Sequence, residues 1–243
     1  MQVDFYNWNG NFDPSRSTYL ITHGYQSSGT TDWILEMTNN LRLTDPNSNI
    51  ISVDWYSGAN TLNYSIAVDN TLIVGDRIAE YLINSGANPQ TTQLIGHSLG
   101  AHISGIAADR YDALTGTAID TIVGLDPAGP SFEGDWFTSA KPLSQRLDAT
   151  DARRVIAFHT SETLGFDARL ADLDLYVNWG DWFQPGQWNF SGNHGYAHQL
   201  YNELLLGYSF AQNTVNAAGT YFNLFDVNNN YLTGSVDVNT YVV

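Results

Sequence analysis

A serine between two glycines, Gly96-His97-Ser98-Leu99-Gly100, has the types and spacing of a reactive hydroxyl. Such a hydroxyl attacks a carbonyl carbon only when a base takes its proton and a third group orients that base. The glycines leave room for a sharp strand-to-helix bend that thrusts the hydroxyl outward, and in chains built this way the acid and then the histidine follow the serine. Of six histidines, His23, His97 and His102 precede or adjoin Ser98, which leaves His159, His194 and His198 as candidate bases. Asp126 is the best-placed acid. It closes the apolar run Thr121-Ile122-Val123-Gly124-Leu125, and Pro127 after it cannot extend a ladder, so the carboxylate projects from a strand end. Negative charge developing on the attacked oxygen needs backbone N–H donors. The Leu99 amide, next to the nucleophile, is one; the Tyr25 amide, after the strand end Thr22-His23-Gly24, is the other. The chemistry expected is acyl transfer.

These residues need strand ends to carry them. Short β-branched runs at Val3–Tyr6, Thr18–Thr22, Ile50–Asp54, Gln93–Gly96, Thr121–Leu125, Val155–His159 and Leu173–Val177 alternate with helical patterns. The helices are expected at Asp32–Leu43, with Asp32 as cap, and at Asn70–Asn84, Leu99–Leu114 and His194–Leu206. That alternation predicts an α/β-hydrolase fold: a mostly parallel central sheet with helices on both faces. A length of 243 residues suits a single domain spanning 1–243, with 207–243 as a β-hairpin extension around an asparagine-rich turn. Asp226, Asn228, Asn230 and Asp237 sit at calcium-loop spacing. Tyr231 stands where such a loop needs glycine, so this stretch reads as a turn.

Composition removes other classes. Asp and Glu outnumber Lys and Arg by 25 to 9, a net charge of −16 that disfavours nucleic acid and anionic membranes as partners. There is no cysteine, hence no disulfide frame and no thiolate metal site. No apolar run is long enough to span a bilayer, and the first residues have no signal-peptide pattern, so the chain reads as cytosolic or as a mature or excised domain.

From about Thr18 to Tyr201 the sequence resembles the pancreatic lipase family, which includes lipoprotein lipases and secreted phospholipases A1. The pieces occur in family order: Ile21-Thr22-His23-Gly24-Tyr25, Val53-Asp54-Trp55, Gly96–His102, Gly124-Leu125-Asp126-Pro127-Ala128-Gly129-Pro130, Arg146-Leu147-Asp148 with Asp151, Phe158-His159-Thr160, and Gln184-Pro185-Gly186. The resemblance implies a Ser98–Asp126–His194 triad, because Asn193-His194 occupies the place of the family's histidine. His198 is then the runner-up, and His159 takes a structural role. It implies hydrolysis of lipid esters, with a lipid or ester substrate met at a membrane or micelle interface, by a secreted, monomeric protein. No cofactor is needed for the chemistry. A structural Ca²⁺ is implied near the Arg146 carbonyl, Asp148 and Asp151.

The departures from the family pattern also imply something. Only Gln187 to Gly192 separate Gly186 from Asn193, too little chain for the family's amphipathic lid helix. Among relatives a short lid goes with phospholipase activity, so polar lipids or small esters are expected. The family's C-terminal β-sandwich has no counterpart in these 243 residues. Two further functions stay open: a non-catalytic lipid-binding protein on the same fold, and a secreted membrane-damaging phospholipase module using exposed aromatics such as Trp182 and Trp188.

Overall fold

A computed structural model describes residues 1–134, 139–212, 221–223 and 233–240. Among these, the strands are β1 (Asp4–Asn7), β2 (Thr18–Thr22), β3 (Asn49–Asp54), β4 (Thr92–His97), β5 (Ile119–Leu125), β6 (Ala152–His159), β7 (Leu173–Val177), β8 (Phe210–Gln212), β9 (Tyr221–Phe222) and β10 (Gly234–Asn239). They form one sheet in the order β1-β3-β2-β4-β5-β6-β7-β10-β8-β9. The run from β3 to β10 is parallel, and β1, β8 and β9 add antiparallel edges.

Successive strand residues point to opposite faces. Leu20, Leu94 and Ile122 therefore join one core, and Ile21, Ile95 and Val123 the other. The first core is covered by α3 (Tyr64–Ser85) and α4 (Leu99–Thr115), through Val74, Ile78, Ile103 and Ala107. The second is covered by α1 (Asp32–Thr44) and α5 (Phe190–Leu205), through Ile34, Met37, Leu200 and Leu204. A parallel sheet with two apolar faces is stable only when helices bury both. The fold is that of an α/β-hydrolase.

Several boundaries differ from the sequence expectation. The N-cap of α1 is Thr31, without a side-chain cap bond, and Asp32 is the first helical residue. α3 begins six residues before the apolar stripe, capped by Asn63, whose side chain accepts from the Ser65 amide. Ser65 and Ile66 in that first turn are exposed, so no stripe marks it. A short helix, α2 (Tyr56–Ala59), follows β3. α5 starts at Phe190, where the Asn189 side chain caps the Gly192 amide, so His194 lies inside the helix rather than at its start. In the tail, β10 is parallel to β7 and antiparallel to β8, which pairs with β9. The expected turn at Asp226, Asn228 and Asn230, and Tyr241–Val243, lie outside the described residues.

Candidate active site

β4 ends at His97 and α4 begins at Leu99, so Ser98 occupies the bend between them, with φ 58° and ψ −122°. A positive φ is strained for a side chain with a Cβ, and such strain persists only where the surroundings impose it. Here they do. A Cβ on Gly96 would lie 2.1 Å from the Gly100 carbonyl oxygen, and one on Gly100 would lie 2.2 Å from the Thr22 carbonyl oxygen. The Ser98 hydroxyl opens on a cleft of about 520 Å³ walled by Tyr25, Trp33, Tyr64, Leu164, His194 and His198, among others.

Asp126, also at positive φ (47°), follows β5 and is fully buried. Its Oδ1 accepts from the Thr160 amide (2.7 Å) and the Ser161 amide (3.2 Å), just beyond β6. Its Oδ2 is left facing His194 Nδ1 at 2.5 Å, a charge-assisted distance. The pair thereby directs His194 Nε2 away from Asp126, and His194 lines the Ser98 cleft. Among the described residues no hydrogen bond reaches the Ser98 hydroxyl, a common state of a serine site without substrate.

The opposite wall is fixed by two interlocked motifs. His23 is buried, with Nδ1 2.9 Å from the Gly24 carbonyl; its Nε2 accepts from the Trp55 amide (3.1 Å), and Trp55 Nε1 donates to the His23 carbonyl. The Asp54 carboxylate, 3.5 Å from His23 Nε2, accepts from the Tyr56 amide at 2.9 Å. The Tyr25 hydroxyl donates to the Thr61 carbonyl at 2.5 Å, pinning the loop that carries its amide. Gly24 packs against the nucleophile so closely that a Cβ would meet Ser98 Cβ at 2.7 Å. Among the described residues the Tyr25 amide has no backbone acceptor, and Leu99, as the first residue of α4, has none within its helix.

The other candidate bases are engaged otherwise. His159 is buried behind β6, with Nδ1 2.7 Å from the Phe166 carbonyl and Nε2 2.9 Å from Asp174, which Arg169 also pairs. Its two nitrogens are taken by that structural cluster. His198, a turn beyond His194, stacks on Trp33 (4.9 Å), and burial lowers its imidazole to about 4. His97 packs between them at 4.7 Å from His194, its Nε2 3.0 Å from the His194 carbonyl, and burial holds it well below the usual histidine value.

Asp148 and Asp151 lie together under α4, 7% and 5% exposed. The Asp148 amide donates to Asp151 Oδ2 (2.9 Å), and Asp148 Oδ1 accepts from the Thr150 amide and hydroxyl. Gly105 lets this loop approach, since a Cβ there would lie 2.4 Å from Asp151 Oδ2. Burial, reinforced by Asp148 and Asp109, pushes the Asp151 carboxyl up to about 8. Two buried carboxylates in want of positive charge fit a hard, oxygen-seeking cation. Among the described residues no cluster of three or more His, Cys, Asp or Glu side chains could hold a metal, so a cation there would also need main-chain oxygens such as that of Arg146.

A family profile described as Lipase matches residues 4–203. The chain belongs to the pancreatic lipase family. Curated members of this lipase family similar to it include Phospholipase A1 1 of Dolichovespula maculata, 40% identical over 183 residues, covering 70% of this chain and 55% of that protein. Lipase member H-A of Xenopus laevis is 38% identical, over 71% of this chain and 36% of that protein. Inactive pancreatic lipase-related protein 1 of Canis lupus familiaris is 37% identical, over 70% and 36%. The chain spans about half the length of the phospholipase relatives and about a third of the other two. A solved thermophilic esterase from Thermogutta terrifontis superposes with a TM-score of 0.45 at 14% identity, over 68% of this chain and 69% of that one.

Sequence reasoning missed the Thr160 and Ser161 amides, which no side chain announces, and the Trp33–His198 stack. It also missed His102, whose Nε2 lies 2.8 Å from the Ala128 carbonyl while Nδ1 accepts from the Leu147 amide. That bridge ties the acid's loop to the Asp148 loop. The signal available was a histidine at an apolar position of α4.

Proposed function

We propose that this lipase-family chain hydrolyses carboxylic esters of lipids through Ser98, His194 and Asp126. The observation that carries the reading is the 2.5 Å contact between a fully buried, amide-anchored Asp126 and His194, in the same cleft as a strained, outward-facing Ser98. Asp126 fixes the imidazole with its proton on Nδ1 and stabilises the cation formed when Nε2 takes the Ser98 proton. The hydroxyl oxygen then attacks the ester carbonyl, and the Tyr25 and Leu99 amides hold the oxyanion. The imidazolium returns the proton to the departing alcohol. Water activated by the same histidine frees the acid from the acyl-enzyme.

The segment before α5 is short, and Trp182 and Trp188 stand 82% and 85% exposed. This supports polar lipids or small esters over triglyceride, and supports working at a lipid surface. Ca²⁺ at Asp148, Asp151 and the Arg146 carbonyl would be structural, screening the two carboxylates. We further propose a single monomeric domain across 1–243, secreted; among the described residues no helix is long and apolar enough to cross a membrane.

Ser98→Ala is expected to lower turnover of p-nitrophenyl esters by about 10⁴-fold or more. Wild-type activity in that variant would overturn the mechanism. A second reading, a silent lipid-binding protein, is favoured by one observation, that a relative is named as inactive. A fluorophosphonate probe separates the two, because only an activated serine is labelled.

A further inference from the structure

Beside the Ser98 cleft lies a second hollow of about 230 Å³. The two share a wall: Thr163, Phe190 and Asn193 line the hollow, and their neighbours Leu164, Ser191 and His194 line the cleft. A molecule held at Ser98 by its ester can therefore set another part in the hollow.

The lining is unusual in kind. Trp179, Trp182 and Phe190 present three aromatic rings, Glu162 and Asp181 add two carboxylates, and no Lys, Arg or His lines it among the described residues. An anionic group has no counter-charge there. The buried amides are bonded within the protein. Asn178 Nδ2 donates to Gln184 Oε1 and the Thr240 hydroxyl, Gln184 Nε2 to the Thr160 and Val177 carbonyls, and Asn193 Nδ2 to the Trp182 carbonyl. Thr160, one of the lining residues and 2% exposed, has a buried hydroxyl without a hydrogen-bond partner among the described residues.

We propose that this hollow is a subsite for a quaternary ammonium group, the choline of a phosphatidylcholine whose ester occupies the neighbouring cleft. A trimethylammonium has no N–H and needs no acceptor. Its diffuse positive charge is attracted by aromatic faces and by carboxylates at short range. The proposal takes its lipid from the ester-hydrolase reading, while the binding of the cation stands apart from it.

The test has two arms. In the first, choline and its neutral isostere 3,3-dimethyl-1-butanol are titrated against the intact protein by tryptophan fluorescence and NMR. Choline is expected to bind at least tenfold more tightly. Glu162→Gln, which keeps an oxygen to accept from the Gly180 amide (2.6 Å), is expected to remove most of that preference. Equal binding of the two probes, or a preference untouched by Glu162→Gln and Trp182→Ala, overturns the subsite. In the second arm, kcat/KM is measured for phosphatidylcholine against phosphatidylglycerol of the same acyl chains. The ratio is expected to exceed ten and to fall towards one in both variants. A ratio near one in the wild type overturns the assignment to a lipid headgroup. Loss of all ester turnover alongside intact choline binding refutes the hydrolase reading, not the cation site.

Discussion

At the residue scale the site depends on contacts too tight to alter. Gly24→Ala puts a methyl 2.7 Å from Ser98 Cβ and 3.0 Å from the His97 carbonyl oxygen, and neither can yield without moving the nucleophile. A misplacement of that order costs about 10²-fold in rate. Gly24→Ala is therefore expected to lower kcat about 100-fold on soluble esters while circular dichroism stays native. His194→Ala should match the loss in Ser98→Ala, and His198→Ala should cost less than about tenfold, because its ring stacks on Trp33 and does not touch Asp126. Steady-state kinetics of the pair decides between them. His102 sets an acid limit. Burial lowers its imidazole to about 3 against an ordinary value of 6.5, so the unfolded chain takes up the proton first. Its contribution to stability is whole above pH 6.5 and is lost as pH falls towards 3. The urea midpoint is expected to drop steadily across that range, and less steeply in His102→Gln. Ser98 and Asp126 could be picked out in the sequence because glycine spacing and a strand-ending proline mark them. The amides of Thr160 and Ser161 could not, since a backbone donor leaves no trace in residue type.

At the scale of elements, the Asp148–Asp151 loop under α4 is expected to couple stability to both pH and cations. The Asp151 carboxyl is pushed up to about 8 in the folded protein from an ordinary value of 3.8, so folding favours the protonated form. In chelator, its stabilising effect is complete below pH 4 and disappears as pH rises to about 8. Thermal melts in chelator are accordingly expected to fall by several degrees between pH 5 and 8. Millimolar Ca²⁺ should cancel that fall. Asp151→Asn should melt higher than wild type at pH 8 in chelator and respond little to calcium, and a calcium response equal to the wild type's would refute the site. The β4–α4 unit was legible because a strand, two glycines and a small-residue helix coincide. The first turn of α3 was not, since Ser65 and Ile66 face solvent and leave no apolar period. β10 was hidden for another reason: its alternation Val236, Val238 reads as a hairpin arm, and only the open edge of β7 makes it a parallel strand.

Over the whole molecule, a net charge of −16 opposes approach to anionic lipid, while exposed tryptophans favour any interface. Binding to zwitterionic vesicles is expected to exceed binding to anionic ones in low salt, with the gap closing as ionic strength rises and charges are screened. Vesicle co-sedimentation across a salt series measures this. Both cores are set by long-range pairing, and truncating a fully buried strand residue such as Ile122 to Ala should cost about 2–5 kcal/mol in urea melts. β10 also orders events in time. The Thr240 amide donates to Asn178 Oδ1, its hydroxyl accepts from Asn178 Nδ2 and the Tyr196 hydroxyl, and Asn178 in turn holds Gln184, whose amide is bonded by Asn193. The helix turn that presents His194 is thus tied through four side chains to a residue made well after it. That helix turn is therefore held by this network only once β10 has docked beside β7.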